Sequence, residues 1–327
     1  MRRAVGEPAR VEDVDGVEVD VGGLGGAHRA GPPAWVTGAE PTRIGQVGRT
    51  TCSGLSALVY AGVVSTDRIA LTISDGLAEL RLDRPDAGNA IDPAWVTAFA
   101  AAVAELEARA GADARAVLVT ATGRAFTVGG DLAHFAGALD DLEAAMAAMV
   151  APFHDALVRL AELPVPVVCA VQGPIAGGGL GLAWCADVVL AAPQARFATG
   201  FHLLGLSGDG ASSWWLPRLV GLRLAQEMLL LGRVLDAEEA LGAGLVTEVV
   251  AAEALDDRAR EVAAALAAGP TVALGHARAL LRAAAQTPMR EHYAREVDAM
   301  LACSRTADAV EGVRAFGERR PPRFGGV

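Results

Sequence analysis

The sequence has 327 residues, of which 52% are hydrophobic, and a formal net charge of −11 at pH 7. This length allows one large or two modest domains with an ample core, and the acidic balance excludes a general nucleic-acid binder, which needs a basic face. No uninterrupted apolar run approaches the roughly 20 residues of a membrane span, and the 4 cysteines include no C-x-x-C pair that would indicate zinc or a disulfide framework. We therefore expect an α/β protein of the cytoplasm that binds no metal, nucleic acid or membrane.

Residues 1–66 differ from the rest of the chain. They are rich in glycine, proline and scattered charge, and they show no sustained helical or strand period. Such a composition predicts a disordered N-terminal extension more readily than a second domain.

From Asp67 onward the pattern is that of a folded chain. RIALTI, SDG and LAELRLDRP predict a β-hairpin, and Pro93 opens an alanine-rich helix that Asp92 can cap. A buried strand (116–122), a helix (140–162) and a second buried strand (166–173) follow. The first half of the chain therefore alternates strands with helices, which is typical of a layered α/β core.

Helices dominate the second half. Two short strands, VVLAA and ARFAT, precede three helical segments, ASSWWLPRLVG, LRLAQEMLLLG and DAEEALGAG, and LVTEVV at 245–250 predicts a last strand. The chain from there to about Arg320 has a helical pattern. We therefore predict a core over 67–255 and a helical C-terminal region over 256–327.

Two glycine-rich turns, AFTVGGDL (125–132) and AGGGLG (176–181), each follow a buried strand and open a helix. Glycine lets a ligand approach the backbone closely, and a helix start offers unpaired N–H donors. A dinucleotide-binding fingerprint would need glycine at Leu182, and no GK[ST] follows for a phosphate loop. Tight turns in a compact core are the alternative to a ligand site.

Five segments, in order, resemble motifs of the enoyl-CoA hydratase/isomerase (crotonase) family. They are LRLDRPDAGNAID, RAFTVGGDL, VQGPIAGGGLGLAWCAD, FHLLGLSGDGASSWWLPRLVG and EGVRAFGERRPPRF. The fourth is similar to the 1,2-epoxyphenylacetyl-CoA isomerase branch. The resemblance implies a ββα superhelix (spiral) core, an α-helical C-terminal oligomerisation region, and homotrimers or dimers of trimers. It also implies acyl-CoA substrates and no cofactor other than the CoA of the substrate itself.

The resemblance further implies an oxyanion hole that holds a thioester enolate. Its two donors would be the backbone N–H groups of Gly130 and Gly178, and a preorganised donor of this kind lowers a barrier by about 3–4 kcal/mol. Asp131 is expected to cap its helix rather than to catalyse. The segment 133–150 is expected to shape the acyl pocket. The residues expected to bind substrate are Ala90, Arg124, Phe126, Gly130, Asp131, Leu132, Gly177, Gly178 and Phe201, with Arg314, Arg319, Arg320 and Arg323 as candidates for the CoA phosphates.

The sequence departs from the hydratases of the family at two positions. Those enzymes carry two glutamates, and the matching residues here are Gly181 and Phe201. Water addition needs one group to activate water and another to protonate the α-carbon. The departure therefore favours an isomerase, in which a single acid can move a proton between carbons.

The stretch GLSGDG (205–210) holds the candidates for that acid. Ser207 as a nucleophile would need glycine at the position of Asp209. Asp209 itself is the position at which some isomerases of the family place an aspartate, and it could also cap the following helix. His202 adjoins the missing second glutamate and could carry a proton, and His134 could contact substrate.

Three functions remain open on the sequence alone. Isomerisation by Asp209 is the leading hypothesis. The alternatives are weak hydration or thioester hydrolysis by His202 with Asp209, and a non-catalytic acyl-CoA-binding protein.

Overall fold

The computed structural model describes residues 64–327. The predicted N-terminal extension therefore lies outside the described residues, except for its last three. Of these, Val64 and Ser65 form a strand that pairs with the first strand of the predicted hairpin.

The described chain contains short strands and mostly longer helices. The strands are β1 (Val64–Ser65), β2 (Ile69–Ser74), β3 (Gly76–Leu82), β4 (Ala114–Ala121), β5 (Val167–Val171), β6 (Ile175–Ala176), β7 (Val188–Ala191), β8 (Arg196–Ala198), β9 (Leu235–Asp236) and β10 (Glu248–Val249). The helices are α1 (Pro93–Arg109), α2 (Leu132–Ala136), α3 (Leu142–Glu162), α4 (Leu180–Trp184), α5 (Ser212–Leu219), α6 (Gly221–Leu230), α7 (Ala237–Ala243), α8 (Leu255–Ala267), α9 (Thr271–Ala284), α10 (Met289–Ser304) and α11 (Ala307–Glu318). The predicted strand over 245–250 shrinks to Glu248 and Val249.

Two sheets organise the core. The larger has seven strands in the order β1-β2-β3-β4-β5-β7-β10, with the β2–β3 hairpin antiparallel and β3, β4, β5, β7 and β10 parallel. The smaller sheet joins β6, β8 and β9. The parallel strands β4 and β5 are almost wholly buried, as expected where helices cover both faces of a sheet.

Helices α1 and α3 cover one face of the large sheet. The Asp92 side chain accepts from the Trp95 N–H and caps α1, which begins at Pro93 as predicted. Trp95, Phe99 and Phe153 of α1 and α3 form an aromatic cluster in the main core. Helix α8 covers the opposite face.

Helix α3 packs in the core and also contributes to the candidate site. The segment Leu139–Glu162, which contains α3, is long and apolar enough to cross a membrane by length and composition. However, α3 buries Phe153, Leu157 and Leu160 in the protein core. These contacts are those of a core helix.

The C-terminal helix α9 is fixed to the core by a buried arginine. The guanidinium of Arg278 donates to Asp187 Oδ2 at 2.6 Å and to the carbonyl oxygens of Ala161 and Leu163 at the end of α3. Arg282 donates to Asp187 Oδ1 at 3.1 Å. The middle and last turns of α9 are thereby held against the C-terminal end of α3.

Candidate active site

The two glycine turns meet at one place in the molecule. A Cβ atom added to Gly129 would lie 2.9 Å from the carbonyl oxygen of Ala176 and 3.3 Å from Gly177 Cα. Both Gly129 and Gly177 have positive φ angles, 85° and 55°, a conformation that side chains with a Cβ rarely adopt. The glycines are therefore required by the close approach of two backbones.

Among residues 64–327, the backbone hydrogen bonds of turns and loops include neither of the two predicted donors. The amides on either side of Gly130 are engaged, because Gly129 O accepts from Ile91 N–H and Asp131 N–H donates to Ile91 O. In such a parallel bridge the intervening Gly130 N–H points to the other side of the strand. Gly178 lies in the 3-10 turn Gly177–Gly179, and the first amides of a helix lack internal partners.

A network of polar side chains fixes the first turn. Asn89 is fully buried and bonds to the carbonyl oxygens of Thr122 and Ala125, and Thr127 Oγ1 donates to Asn89 O. Asp131 caps α2 through the amides of Ala133 and His134, as predicted. The other carboxylate oxygen of Asp131 accepts from Arg84 Nη1 at 2.8 Å, and the hydrogen bond to Arg84 lowers the pKa of Asp131.

Asp209 lies directly over the second turn. A Cβ added to Gly178 would overlap Asp209 Oδ2 and would lie 3.1 Å from Asp209 Cγ. Gly210 and Ala211 have positive φ angles, 58° and 57°, so the chain turns sharply after Asp209. The Asp209 carboxylate is thereby placed beside one predicted oxyanion donor.

The alternatives for the GLSGDG stretch do not match this geometry. The N-terminal residue of α5 is preceded by Ala211, and no side chain caps this helix, so the hypothesis that the Asp209 side chain caps it is wrong. Ser207 is exposed and follows a 3-10 turn (Phe201–Leu204) rather than a strand. A nucleophile elbow needs the turn from a strand into a helix.

The Asp209 carboxylate is paired with a histidine of α3. His154 Nε2 lies 2.5 Å from Asp209 Oδ1, and the two side chains are 40% and 28% exposed. The hydrogen bond to Asp209 raises the pKa of His154 above its ordinary value of 6.5, while partial burial of the ring opposes the rise. A proton on this ring is therefore stabilised by the carboxylate.

A single nitrogen of His154 faces two partners. The Gly210 N–H approaches Nε2 at 3.2 Å, while Asp209 Oδ1 approaches the same atom. Nε2 can donate to the carboxylate only when it carries a proton, and it can accept from Gly210 only when it does not. The site thus offers two positions for one proton, either on the histidine or on the aspartate.

The two positions at which a hydratase is expected to carry glutamates are tightly packed. A Cβ on Gly181 would lie 2.6 Å from Leu157 Cδ1 and 2.9 Å from the carbonyl oxygen of Gly210, so a glutamate has no room at this position. Phe201 is buried, and its ring edge lies 4.0 Å from the position of a Cβ on Gly177. An apolar ring therefore occupies the second position.

The remaining predicted residues differ in their contacts with the candidate site. His202 is exposed, and its ring rests against Gly232 after α6, with no hydrogen bond to Asp209. The His134 ring contacts Phe135, whose ring lies 3.0 Å from the position of a Cβ on Gly130. Phe126 is fully buried in the core, so only its backbone can face a substrate.

The other predicted substrate residues differ in exposure. Leu132 and Arg124 are exposed, and Ala90 is buried with its carbonyl oxygen accepting from Arg84. Among the C-terminal arginines, Arg320 is bonded to Glu311 and Glu318. The positive charge of Arg320 is therefore balanced by these two carboxylates. Over residues 64–327, no group of three His, Cys, Asp or Glu side chains is arranged to hold a metal ion.

His154 is the partner of Asp209 that the sequence did not reveal. It follows Pro152 and Phe153 inside a long apolar helix, and it lies 55 residues before Asp209. The one available signal was a titratable side chain two residues after a proline in the middle of α3. That signal does not identify the partner, because helix packing decides it.

Comparison with known proteins places the chain among CoA-thioester enzymes. Residues 72–327 match the enoyl-CoA hydratase/isomerase family. The chain is 36% identical to the 1,2-epoxyphenylacetyl-CoA isomerase of Escherichia coli over 259 residues, covering 78% of this chain and 97% of the relative. It is 35% identical to the carnitinyl-CoA dehydratase of Citrobacter koseri, covering 76% of this chain and 95% of that protein. The crystal structure of an enoyl-CoA hydratase from Polaromonas matches with a TM-score of 0.74 at 29% identity, over 79% of this chain and 99% of that one.

Proposed function

Because the chain belongs to the enoyl-CoA hydratase/isomerase family, whose members are enzymes acting on CoA thioesters, we propose that it is an enoyl-CoA isomerase that uses Asp209. The family membership and the crotonase-like α/β fold, both predicted from the sequence, are confirmed by these matches. The choice of isomerisation rests on one observation. The Asp209 carboxylate lies against Gly178 and shares a short hydrogen bond with His154.

The proposed reaction moves one proton and needs no added water. The thioester oxygen of a 3-enoyl-CoA accepts hydrogen bonds from the Gly130 and Gly178 amides. Asp209 removes a proton from C2, and the electron pair that is released forms a dienolate whose charge rests on the thioester oxygen. Asp209 then returns the proton to C4, which yields the conjugated 2-enoyl-CoA.

His154 supports both halves of this transfer. A protonated His154 holds Asp209 Oδ1 and stabilises the carboxylate before the proton is taken up. The ring keeps its own proton throughout, while Asp209 Oδ2, which lies against Gly178, takes the proton from C2 and returns it to C4. We therefore assign His154 to positioning and charge balance, and Asp209 to the proton transfer itself.

Thioester hydrolysis is the second candidate. The pairing of a carboxylate with a histidine is also suited to activating water, and here the partner of Asp209 is His154 rather than the predicted His202. Hydration is less favoured, because Gly181 and Phe201 leave no carboxylate at the two positions of the hydratase glutamates. A non-catalytic acyl-CoA-binding protein would retain the oxyanion turns but show no turnover.

Isomerisation of a 3-enoyl-CoA to the conjugated 2-enoyl-CoA, followed by ultraviolet absorbance, tests the proposal. The Asp209→Asn variant should lose about 10²–10⁴-fold in kcat, the contribution of a positioned acid/base group. Ser207→Ala, in the same exposed loop, is the control and should keep wild-type activity. Equal turnover in wild type and Asp209→Asn would exclude the proposed role of Asp209. Binding without turnover in either protein would favour the non-catalytic alternative.

Assembly and location are part of the same proposal. Helix α10 exposes a stripe of apolar side chains, and this supports the homotrimer or dimer of trimers expected from the resemblance; the stripe consists of Met289, Tyr293, Val297, Met300 and Leu301. We also propose that the enzyme acts in the cytoplasm.

A further inference from the structure

A groove of about 960 Å³ begins beside the proposed catalytic pair. His154 is one of its lining residues, and so is Ala211, two positions after Asp209. The groove therefore reaches the His154 side of the pair. Its other walls come from three helices, through Leu157, Val158 and Ala161 of α3, Trp214 and Trp215 of α5, and Val272, Ala279 and Ala283 of α9.

The groove is long compared with a short acyl group. It follows α3 from His154 to Ala161, seven residues, which is about 10 Å at the rise of an α-helix. An extended chain advances about 1.2 Å per bond. About eight bonds of an acyl chain therefore span this part of the groove.

The walls are chiefly apolar, and their charged groups are largely engaged. Arg278 bonds to Asp187 and to carbonyl oxygens of α3, and Arg282 bonds to Asp187 and lies 5.2 Å over the Trp215 ring. Glu162, His276 and Gln286 complete the polar lining. An uncharged hydrocarbon fits such a surface better than a polar or charged group does.

We infer that this groove, here called the acyl groove, binds the distal part of a large apolar acyl group of about eight carbons or more. The inference rests on the proposed function, since it assumes that the thioester lies at Gly130 and Gly178. The sequence led us to expect the acyl pocket around 133–150, but none of those residues lines the acyl groove. The α3–α9 contact sets substrate length instead.

Binding of saturated acyl-CoAs tests the acyl groove without requiring turnover. Butanoyl-CoA and decanoyl-CoA would be titrated calorimetrically into wild type, Ala279→Trp and Ala277→Trp. Ala279 and Ala277 are both exposed on α9, but only Ala279 lines the acyl groove. The two variants therefore add the same bulk to the same helix, inside and outside the acyl groove.

Wild type should bind decanoyl-CoA at least tenfold more tightly than butanoyl-CoA, because each buried CH₂ contributes roughly fourfold in affinity. Ala279→Trp should weaken decanoyl-CoA binding at least tenfold and leave butanoyl-CoA unchanged, and Ala277→Trp should change neither. Equal effects of Ala279→Trp on both ligands, or none on decanoyl-CoA, would overturn the inference. A change in oligomeric state confined to Ala279→Trp would also overturn it, in favour of a second copy in the groove.

The same titrations separate this inference from the proposed function. Length selectivity that depends on Ala279, in a protein without isomerase activity, would reject the isomerase and retain the acyl groove. Isomerase activity with no response to Ala279→Trp would retain the isomerase and reject the acyl groove.

Discussion

The two halves of the candidate site are built in different ways. The two glycine turns proposed to form the oxyanion hole, at 125–132 and 176–181, present backbone N–H groups, and the first is held by buried partners such as Asn89 and Thr127. The GLSGDG loop presents a side chain, is mostly exposed, and contains two consecutive residues with positive φ. The first half is therefore fixed by the core, whereas the second depends on local strain and on one contact with α3.

This difference separates binding from proton transfer. Backbone donors keep their geometry as long as the core is intact, which suits the constant thioester group of every acyl-CoA. A carboxylate on a loop can be exchanged between relatives without disturbing the core, which suits a variable reaction. Changes in the first half should consequently affect every ligand, and changes in the second should affect turnover alone.

After Asp209→Asn, the largest effect is expected where the two halves touch. In Gly178→Ala the new methyl group would overlap the Asp209 carboxylate and lie 3.4 Å from the Phe153 ring. Displacement of the turn should lower kcat by about 10²–10³-fold, comparable with loss of one oxyanion donor. Gly242→Ala in α7 is the control, because no atom lies within 4 Å of its added Cβ. Activity of Gly178→Ala within tenfold of wild type would contradict the contact between the halves.

The next effect is expected from the helix that supports the loop. His154→Gln retains a hydrogen-bonding side chain but cannot carry the proton, so kcat should fall by about 10²-fold while KM is nearly unchanged. His202→Gln, with its ring against Gly232, should match wild type in both parameters. The opposite pattern, with loss only in His202→Gln, would assign the supporting role to His202, which the sequence offered as an alternative proton carrier.

Sequence reasoning succeeded where function depends on neighbours in the chain. The caps formed by Asp92 and Asp131 and the two glycine turns are local patterns, and each lies where it was predicted. It failed at the pairing of Asp209 with His154, because that contact is created by the packing of α3 against a distant loop. The capping hypothesis for Asp209 failed because positive φ at Ala211 is invisible in residue spacing.

A smaller effect on stability should distinguish the two consecutive residues with positive φ, Gly210 and Ala211. A Cβ on Gly210 would overlap the carbonyl oxygen of Gly178, at a φ of 58°, so Gly210→Ala should lower the free energy of unfolding by about 2 kcal/mol. Ala211→Gly relieves about 1 kcal/mol of left-handed strain but adds a similar entropy to the unfolded chain, and should be nearly neutral. Denaturant unfolding of both variants measures this. Equal destabilisation would mean that the loop does not press on the second turn.

The smallest effect concerns the proton shared by His154 and Asp209. Because the pKa of His154 is raised in the folded protein, the pair contributes stability that is fully present below the unfolded value near 6.5 and is lost as the pH rises through the folded value. The difference in unfolding free energy between wild type and Asp209→Asn should therefore be larger at pH 6 than at pH 9. Denaturant unfolding at the two pH values measures it.

The titration of the His154 ring, followed by NMR, sharpens the same point. Its pKa should lie above 6.5 in wild type and should fall in Asp209→Asn, where the hydrogen bond to a charged carboxylate is gone and only burial acts on the ring. Ser207→Ala should leave the titration unchanged, since this side chain lies in the same loop without contacting the ring. A wild-type pKa that does not respond to Asp209→Asn would mean that the carboxylate and the histidine do not share a proton in solution. The two halves of the site would then be joined only by the contact of Asp209 with Gly178, and a loss of activity in His154→Gln would have to arise from packing rather than from charge.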